Sequence, residues 1–385
     1  MTVTRPGTGG GRETEKEKEH RTAAVRTAPA ATYEVPREAT HKVPHEATHK
    51  VPHEAAFAEL AERHRHELRV HCYRLLGSFT DAEDMVQETL LRAWRRRETF
   101  EGRATFRAWL YRIATNVCLD ALADPARKRE VRTATDSAGR PARARAATAE
   151  VTWLEPYPDR LLDLAAPDDA GPEAAAITRE TVELAFLAAV QHLPPRQRAV
   201  LILRDVVGQP AQETAEALEM SVPSVKSALQ RARATLREQL PERRTDWRRA
   251  TTADETERAL LQRYITASRQ SDLTALAALL REDIRQTMPP AHLVFDGRRA
   301  VLDMWRAALE DQQTWGDWFA VPLAANRQPA VANYVRRPGE SHCTAINIDV
   351  LCVQGGLITE ITTFGPELLP AFGLEPTAAP ETLTL

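Results

Sequence analysis

Cysteine, aromatic residues, long apolar runs and net charge are all scarce in this chain of 385 residues. Its four cysteines are Cys72, Cys118, Cys343 and Cys352. They lie far apart and form no Cys-x-x-Cys or Cys/His spacing, so a disulfide framework or a zinc site has little support. No run approaches the roughly 20 apolar residues that span a bilayer, and the N-terminus lacks the apolar core of a signal peptide. We therefore expect a cytoplasmic protein with no membrane partner, no metal and no cofactor.

The net charge is only -3, although 27% of the residues are charged. This balance argues against a uniformly basic nucleic-acid-binding surface and against a strongly acidic protein. Any basic patch must therefore be local. The length is too great for one compact core of the usual size and favours two or three domains.

Residues 1–54 have almost no large apolar side chains and cannot bury enough surface to offset their ordering entropy. An octapeptide recurs within them as VPREATHK, VPHEATHK and VPHEA, and it places histidines four residues apart, at His41, His45, His49 and His53. On a helix this spacing can hold a metal, but the proline of each repeat breaks the helix. We predict a disordered extension, with metal or partner binding as the alternative.

The rest of the chain changes character several times. A helical apolar period gives way to a linker rich in Ala, Arg, Pro and Asp, whose apolar island WLEPYPDRLLD needs a surface to dock on. A second helical block and a mixed block follow. The predicted organisation is a helical domain at 55–123, a linker at 124–179, a helical domain at 180–241, an α+β domain at 254–374 and a tail at 375–385.

Alternation in the last block predicts an antiparallel sheet. In TAINIDVLCV the apolar side chains of Ile346, Ile348, Val350 and Cys352 share one face. Asp349 falls on the other face. QGG then turns the chain into LITEITTF, which is a hairpin signal.

The stretch SVPSVKSALQRARATLREQL follows a short helical segment with small Ala215, and Ser221 can cap the helix that it begins. A short helix, a tight turn and a second helix are typical of a helix-turn-helix, in which the second helix enters the major groove. An ordinary helical hairpin with a solvated basic face is the alternative. The candidate contacts are Ser224, Lys226, Ser227, Gln230 and Arg231 for base edges, and Arg233 and Arg237 for phosphates.

The segment DAEDMVQETLLRAW places acids at a helix start, where the helix dipole favours them, so capping explains part of the pattern. Val86, Leu90 and Trp94 recur at helical spacing and are expected to face the core. An acidic and amide surface that suits a basic protein partner remains. Its members are Asp81, Asp84, Gln87 and Glu88.

In FEGRATFRAWLYRIATNVCLDAL, Thr105 can cap a helix with an apolar inner side. Arginines interleaved with an aromatic ring and an amide fit capture of single-stranded DNA. The alternative is that Trp109 and Tyr111 are core or boundary aromatics. The residues expected on the open side are Arg107, Tyr111, Arg112, Thr115 and Asn116.

Two long segments resemble a known family. HCYRLLGSFTDAEDMVQETLLRAWRRRETFEGRATFRAWLYRIATNVCLDAL is similar to region 2 of an extracytoplasmic-function (ECF) sigma factor. LPPRQRAVLILRDVVGQPAQETAEALEMSVPSVKSALQRARATL is similar to region 4. Residues 254–374 resemble the SnoaL-like, NTF2-like cone fold, which points to ECF sigma factors with a fused C-terminal regulator.

The resemblance implies a multidomain fold: two all-α sigma domains, the second with a helix-turn-helix, and a C-terminal α+β SnoaL/NTF2-like cone domain. It implies that the acidic surface docks on the coiled coil of the RNA polymerase β′ subunit and that region 4 meets the β flap. By the same resemblance, Arg112 and Asn116 are expected to lead the capture of the melted -10 element, and the helix from Ser221 is expected to read the duplex -35 element. RNA synthesis then belongs to the core enzyme. One departure is that Asp124 and Pro125 precede the arginine run usual at this helix end.

We expect the third domain to pack on the sigma domains and linker and to bias them between a closed form and a polymerase-competent form. A small-molecule ligand in its pocket is left open as a partner. One alternative is a helix-turn-helix regulator that acts without polymerase. Another is an NTF2-like enzyme with a DNA-binding extension, for which Asp349 and His292 are conceivable acid and base groups, although no spacing joins them.

Overall fold

The computed structural model describes residues 54–100, 105–124, 154–164, 181–239, 255–291 and 293–383. The N-terminal histidine repeats, the greater part of the linker and His292 lie outside these residues. In the described part, no helix is long and apolar enough to cross a membrane. Within the same residues, no cluster of three or more His, Cys, Asp or Glu side chains is arranged to hold a metal ion.

The first helical unit consists of α1 (Glu54–Leu76), α2 (Phe79–Arg95) and α3 (Phe106–Ala123). The side chain of Ser78 caps α2 by accepting from the amide of Asp81 at 3.1 Å. Thr105 caps α3 in the same way, accepting from the amide of Ala108 at 3.2 Å, as the sequence predicts. The two-residue turn between α1 and α2 requires the left-handed φ of +75° at Gly77, which glycine adopts without strain.

The described part of the linker, residues 154–164, ends in the short helix α4 (Asp159–Asp163). Its apolar side chains Leu154, Tyr157 and Leu162 are fully or nearly fully buried. Pro158 also pairs with Ala325 of the third unit in an isolated β-bridge. This segment is therefore packed between the first helical unit and the C-terminal sheet.

The second helical unit contains α5 (Leu184–Gln191), α6 (Pro195–Leu201), a π-turn (Ile202–Val206), α7 (Ala211–Ala217) and α8 (Val222–Gln239). Ser221 accepts from the amide of Ser224 at 3.2 Å and so caps α8. Small buried side chains line the packed side of the pair α7 and α8, which lets the two helices approach closely: Ala215, Ala217, Ala228 and Ala232. The pair forms the helix-turn-helix that the sequence predicts.

The third unit begins with α9 (Glu255–Arg269) and α10 (Leu273–Leu279) and later contains α11 (Arg298–Leu309). Its strands are β1 (Leu280–Met288), β2 (Leu293–Asp296), β3 (Asp317–Ala325), β4 (Gln328–Arg336), β5 (Cys343–Gln354), β6 (Leu357–Phe364) and β7 (Thr377–Ala378). They pair in the order β2-β1-β6-β5-β4-β3, with β7 added on β5. Among the described strands the pairing is antiparallel, as predicted, except between β1 and β6, which run parallel. The β5–β6 hairpin at Gly355 and Gly356 is confirmed.

The two faces of the sheet bury different partners. One face packs on α9, α10 and α11, with Leu351 and Val331 in that core. The other face joins Ile348 and Val350 to a core that continues through both helical units. The predicted alternation fails at Ile346, because the register shifts between Asn333–Asn347 and Tyr334–Ala345 and leaves Ile346 as the extra residue of a bulge.

The C-terminal segment covers part of this second face. Two 3₁₀ turns, Pro366–Phe372 and Pro380–Leu383, flank β7. Leu369 and Leu383 are buried, and the hydroxyl of Tyr334 donates to the carbonyl of Glu375 at 2.9 Å. The residues expected to form a tail therefore pack against the sheet as far as the structure describes them.

Candidate nucleic-acid interface

The outer face of α8 carries the side chains proposed to read duplex DNA. All of them are exposed: Ser224, Lys226, Ser227, Gln230, Arg231, Arg233 and Arg237. Arg233 also forms a bidentate ion pair with Asp205 of the π-turn, at 2.8 and 2.7 Å. An exposed ion pair contributes only about 0–1 kcal/mol to stability. The pair with Asp205 therefore orients Arg233 but is weak enough to be exchanged for a contact with a DNA phosphate.

The acidic surface lies on α2. Asp84 and Gln87 are exposed, as expected, whereas Glu88 is half-buried, as is Asp81 in the first turn of the helix. Arg92 joins Glu88 to Asp120 of α3, with both contacts at 2.6 Å. The arrangement holds Glu88 in place beside the more exposed Asp84 and Gln87.

One residue on this surface escaped the sequence analysis. Leu91 is 50% exposed, an unusual state for a leucine, and it follows Gln87 by one helical turn. An apolar side chain beside exposed acid and amide groups fits a protein partner better than solvent. The sequence did contain one indication of its exposure, because Leu91 is an apolar residue that lies outside the inward-facing set Val86, Leu90 and Trp94.

The face of α3 differs from the prediction. Arg107 and Arg112 are exposed, but Tyr111 and Thr115, predicted on the open side, are buried. Their polar groups are satisfied inside, which is why burial is tolerated. The Tyr111 ring lies 4.7 Å from the His71 ring and its hydroxyl donates to Glu67 at 3.2 Å. The expected exposure of Tyr111 and Thr115 is therefore wrong in this conformation.

Thr115 depends on a buried histidine of α1. Its hydroxyl donates to the carbonyl of Tyr111 at 2.7 Å and lies 2.8 Å from Nε2 of His71, which therefore acts as the donor. Complete burial lowers the pKa of His71 to about 3, with a further contribution from the nearby charge of Arg74. The imidazole is thus neutral at physiological pH.

Asn116, a leading candidate for contact with an unpaired base of the melted -10 element, contacts the second helical unit. Its Nδ2 donates to the carbonyl of Ala217, at the end of α7, at 3.3 Å. Nearby, the buried guanidinium of Arg198 in α6 donates to the carbonyl of Leu75 at 2.5 Å and to the carbonyls of Gln191 and Leu193 at 2.9 and 3.2 Å. The two helical units are therefore joined face to face.

A single asparagine at the tip of the β3–β4 hairpin contacts the first helical unit, the described linker segment and the start of the second helical unit. Asn326 is fully buried and has a φ of +56°. Its Oδ1 accepts from the amide of Tyr157 at 2.8 Å in the linker. Its Nδ2 donates to the hydroxyl of Tyr73 in α1 at 2.8 Å and to the carbonyl of Val182, before α5, at 2.6 Å. The backbone amide donates to the carbonyl of Tyr157 at 2.9 Å.

The linker residue Tyr157 fills an aromatic pocket on the first helical unit. Its ring centroid lies 4.9 Å from that of Tyr73 and 5.2 Å from that of Phe79. The guanidinium groups of Arg69 and Arg74 interact electrostatically with its phenol. Burial lowers the pKa of Arg74 to about 10, and its Nε and Nη2 have no hydrogen-bond partner among the described residues.

The interior of the third unit holds a buried carboxyl group at Asp349. It accepts from the hydroxyls of Tyr264 and Thr363 at 3.3 and 2.6 Å and from Nδ2 of Asn333 at 2.8 Å. Burial raises the pKa of Asp349 against the effect of these hydrogen bonds. Sequence reasoning found Asp349 but not its partners, because Tyr264 lies 85 positions away in the chain.

Comparison with known proteins agrees with this arrangement of modules. The sequence model of Sigma-70 region 2 matches residues 60–128, that of Sigma-70, region 4 matches residues 183–236, and that of the SnoaL-like domain matches residues 261–361. These modules define a sigma-70-type transcription factor with a C-terminal α+β domain.

Relatives identify the family more closely. The ECF RNA polymerase sigma factor SigG of Mycobacterium tuberculosis (strain CDC 1551 / Oshkosh) is 40% identical over 325 residues, which cover 83% of this chain and 84% of SigG. SigW of Bacillus subtilis (strain 168) is 30% identical over 185 residues, covering 48% of this chain and 89% of SigW. The crystal structure of M. tuberculosis SigJ superposes with a TM-score of 0.52 at 22% identity, covering 83% of this chain and 99% of SigJ. The chain belongs to the ECF RNA polymerase sigma factors.

Proposed function

We propose that this sigma factor is held in a closed form by its own C-terminal domain and directs transcription only after that domain releases it. In this division, residues 55–123 grip the melted -10 element, residues 180–241 read the duplex -35 element, and residues 254–374 regulate both. The observation that carries the proposal is the bond between Asn116 and Ala217, which puts the two reading modules in direct contact.

Promoter geometry requires the modules to separate. The -10 and -35 elements lie about 25 base pairs apart, hence about 85 Å along B-DNA at 3.4 Å per base pair. Modules that touch through Asn116 and through Arg198 cannot reach both elements at once. Separation of the two modules also breaks the bond from Asn116 to Ala217, so the side-chain amide becomes available to a base edge.

The tip of the β3–β4 hairpin makes the contacts that hold the closed form together, and we call these contacts the lock. Asn326 bonds to α1, to the linker and to the start of the second helical unit through one side chain. Arg327 adds a backbone bond to Asp159 at 2.8 Å, and Gln328 accepts from the amide of Leu184 at 3.3 Å. Withdrawal of this tip removes bonds to every other unit together.

The contacts with polymerase and DNA follow the family resemblance. The acidic surface of α2, with Leu91, is proposed to dock on the β′ coiled coil, and the second helical unit to meet the β flap; exposure of Asp84, Gln87 and Leu91 supports the first. The proposed -10 contacts are Arg107, Tyr111, Arg112, Thr115 and Asn116, of which Tyr111 and Thr115 need rearrangement of α3 against α1. The proposed -35 contacts are the seven exposed residues of α8.

We infer that the third domain regulates without catalysing a reaction. Its buried carboxyl already accepts hydrogen bonds from three side chains, which favours a structural role for Asp349. A small molecule that binds this domain is a further proposed partner. The site of action is the cytoplasm, where core polymerase and promoters are found.

Run-off transcription with purified core polymerase tests the lock. Asn326→Gly removes the amide while allowing the positive φ, and Asn326→Asp keeps the acceptor for Tyr157 but loses both donated bonds. We expect at least fivefold more transcript for Asn326→Gly, an intermediate gain for Asn326→Asp and a larger radius of gyration in X-ray scattering. The exposed Arg299→Ala on α11 serves as the control. An unchanged radius and transcript for Asn326→Gly contradict the lock.

A further inference from the structure

The pocket that receives Tyr157 has a wall of aromatic rings. Tyr73 closes one side from the last turn of α1, and Phe79 closes another from the first turn of α2. The ring of Tyr157 is completely buried between them. Because the occupant comes from the linker and not from the helical unit itself, the pocket belongs to the first unit and is emptied when the linker leaves.

Two arginines lie at the same pocket, and for one of them, Arg74, the described residues provide no anionic partner. Arg69 pairs with Glu83 at 2.6 Å, yet its Nε remains without a partner. Arg74 is 7% exposed, and neither its Nε nor its Nη2 is bonded to any residue that the structure describes. Burying an unpaired guanidinium is costly, so its retention indicates a role in another state of the protein. A phosphate or carboxylate group matches the donor pattern of the guanidinium.

Release of Tyr157 from the pocket depends on Asn326, at the tip of the β3–β4 hairpin. The amide and carbonyl of Tyr157 are both bonded to Asn326, at 2.8 and 2.9 Å. The hydroxyl of Tyr73, in the pocket wall, donates to the carbonyl of Glu155 at 2.7 Å and accepts from Asn326. Withdrawal of Asn326 therefore frees the ring of Tyr157 and the wall of the pocket in one step.

We propose that Tyr157 stands in for a nucleobase, and that in the opened protein this pocket binds one unpaired nucleotide of a promoter strand. The base packs against Tyr73 and Phe79 as the Tyr157 ring does, at interplanar angles of 57° and 83°, and its phosphate is bound by Arg74. Aromatic rings combined with arginine are the usual means of holding single-stranded nucleic acid. The unpaired Nε and Nη2 of Arg74 favour a nucleotide over an aromatic side chain of polymerase, which brings no anion. The site is separate from the α3 residues assigned to the -10 element, and it rests on the proposed opening.

Binding of a single-stranded 12-mer containing 2-aminopurine to the full chain tests this site at fixed ionic strength. Tyr157→Ala empties the pocket, and Tyr157→Phe keeps the ring as the matched control. We expect Tyr157→Ala to bind the 12-mer at least fivefold more tightly than the parent chain, with a change in 2-aminopurine emission, and Tyr157→Phe to behave as the parent. Adding Phe79→Ala or Arg74→Met should remove the gain, since stacking on one aromatic side chain is worth about 5- to 150-fold in affinity. The exposed Arg63→Met should leave it intact.

The Asn326→Gly chain provides a second route if Tyr157→Ala fails to fold. In that background Arg74→Met should weaken binding of the 12-mer at least fivefold, while affinity for core polymerase without DNA stays unchanged. If Arg74→Met leaves the affinity for the 12-mer unchanged, the proposed nucleotide site is wrong. The lock is tested independently, and it still stands if Asn326→Gly raises transcription. If Phe79→Ala instead weakens core polymerase binding without DNA, the pocket receives a protein side chain and the proposal is wrong. Failure of the lock itself is seen separately, as an unchanged radius of gyration for Asn326→Gly.

Discussion

The guanidinium of Arg198 donates to the main-chain carbonyl of Leu75 at 2.5 Å, so a side chain of the second helical unit completes the last turn of α1. The same group also bonds the carbonyls of Gln191 and Leu193. At 3% exposure, the two Nη atoms of Arg198 thus donate to backbone oxygens from both modules. The contact makes the stability of the closed form depend directly on the fit between the modules.

Replacing this arginine tests that dependence. Arg198→Met leaves buried carbonyls without donors and should lower the free energy of unfolding by about 2–4 kcal/mol. Urea denaturation followed by circular dichroism measures the change. Arg196→Met, two positions earlier and exposed, should alter the free energy of unfolding by no more than about 0.5 kcal/mol. Equal stability of the two variants would contradict the role given to Arg198.

The buried His71 predicts acid sensitivity. Its folded pKa of about 3 lies below the ordinary value of 6.5, so the unfolded state takes up the proton first as pH falls. Its contribution to stability is complete above about pH 6.5 and is lost progressively between there and pH 3, by at most about 1.4 kcal/mol per pH unit. His71→Gln should flatten the melting temperature measured against pH over this window. The exposed His342→Gln should keep the parent's slope; identical slopes for all three proteins would refute the assignment.

Leu91 predicts a loss of polymerase affinity without a loss of stability. Its side chain is half exposed, so Leu91→Asp should leave the melting temperature within about 2 °C of the parent. Burying that carboxylate in an interface should weaken core polymerase binding about tenfold or more in surface plasmon resonance. Glu98→Ala, exposed beyond the end of α2, is the control. Binding that stays at the parent level would remove Leu91 from the docking surface.

The face of α8 predicts two different defects in promoter binding by the assembled polymerase. Arg237→Ala should weaken binding to all sequences alike and reduce the slope of log K against log salt by about 0.9, the value of one phosphate contact. Gln230→Ala should instead change preference among bases at one position of the -35 element. Arg263→Ala on α9 is the exposed control. A salt slope unaffected by Arg237→Ala means that this residue does not meet a phosphate.

Helical periodicity predicted the inner side of α2, where Val86 is buried and Leu90 and Trp94 pack partly buried against the core, because one side of the helix is covered and the other is solvated. It failed for α3 at Tyr111 and Thr115, where α1 offers Glu67 and His71 as polar partners inside the core. Polarity alone does not reveal such partners. The bulge at Ile346 likewise arises from pairing with β4, which the alternation within β5 cannot report.

Contacts between distant segments were the least predictable part. The apolar island in the linker signalled that it needed a surface, but nothing local in the sequence pointed to Asn326, whose partner Tyr73 is 253 positions away. Its surroundings, Ala325 to Gln328, look like any polar hairpin turn. The exposure of the residues proposed for docking on α2 and for DNA reading on α8 was easier to predict, since their types and spacing resemble a known family.

Because one amide at the hairpin tip bonds to α1, to the linker and to the segment before α5, an activator that binds the β3–β4 turn is expected to weaken three interfaces together. The direct bonds of Asn116 and Arg198 between the helical units must still be broken, and ligands that prefer the open form elsewhere on the surface contribute to that step. Moving the balance from 1:99 to 99:1 takes about 5.5 kcal/mol of differential binding in total, whichever surfaces supply it.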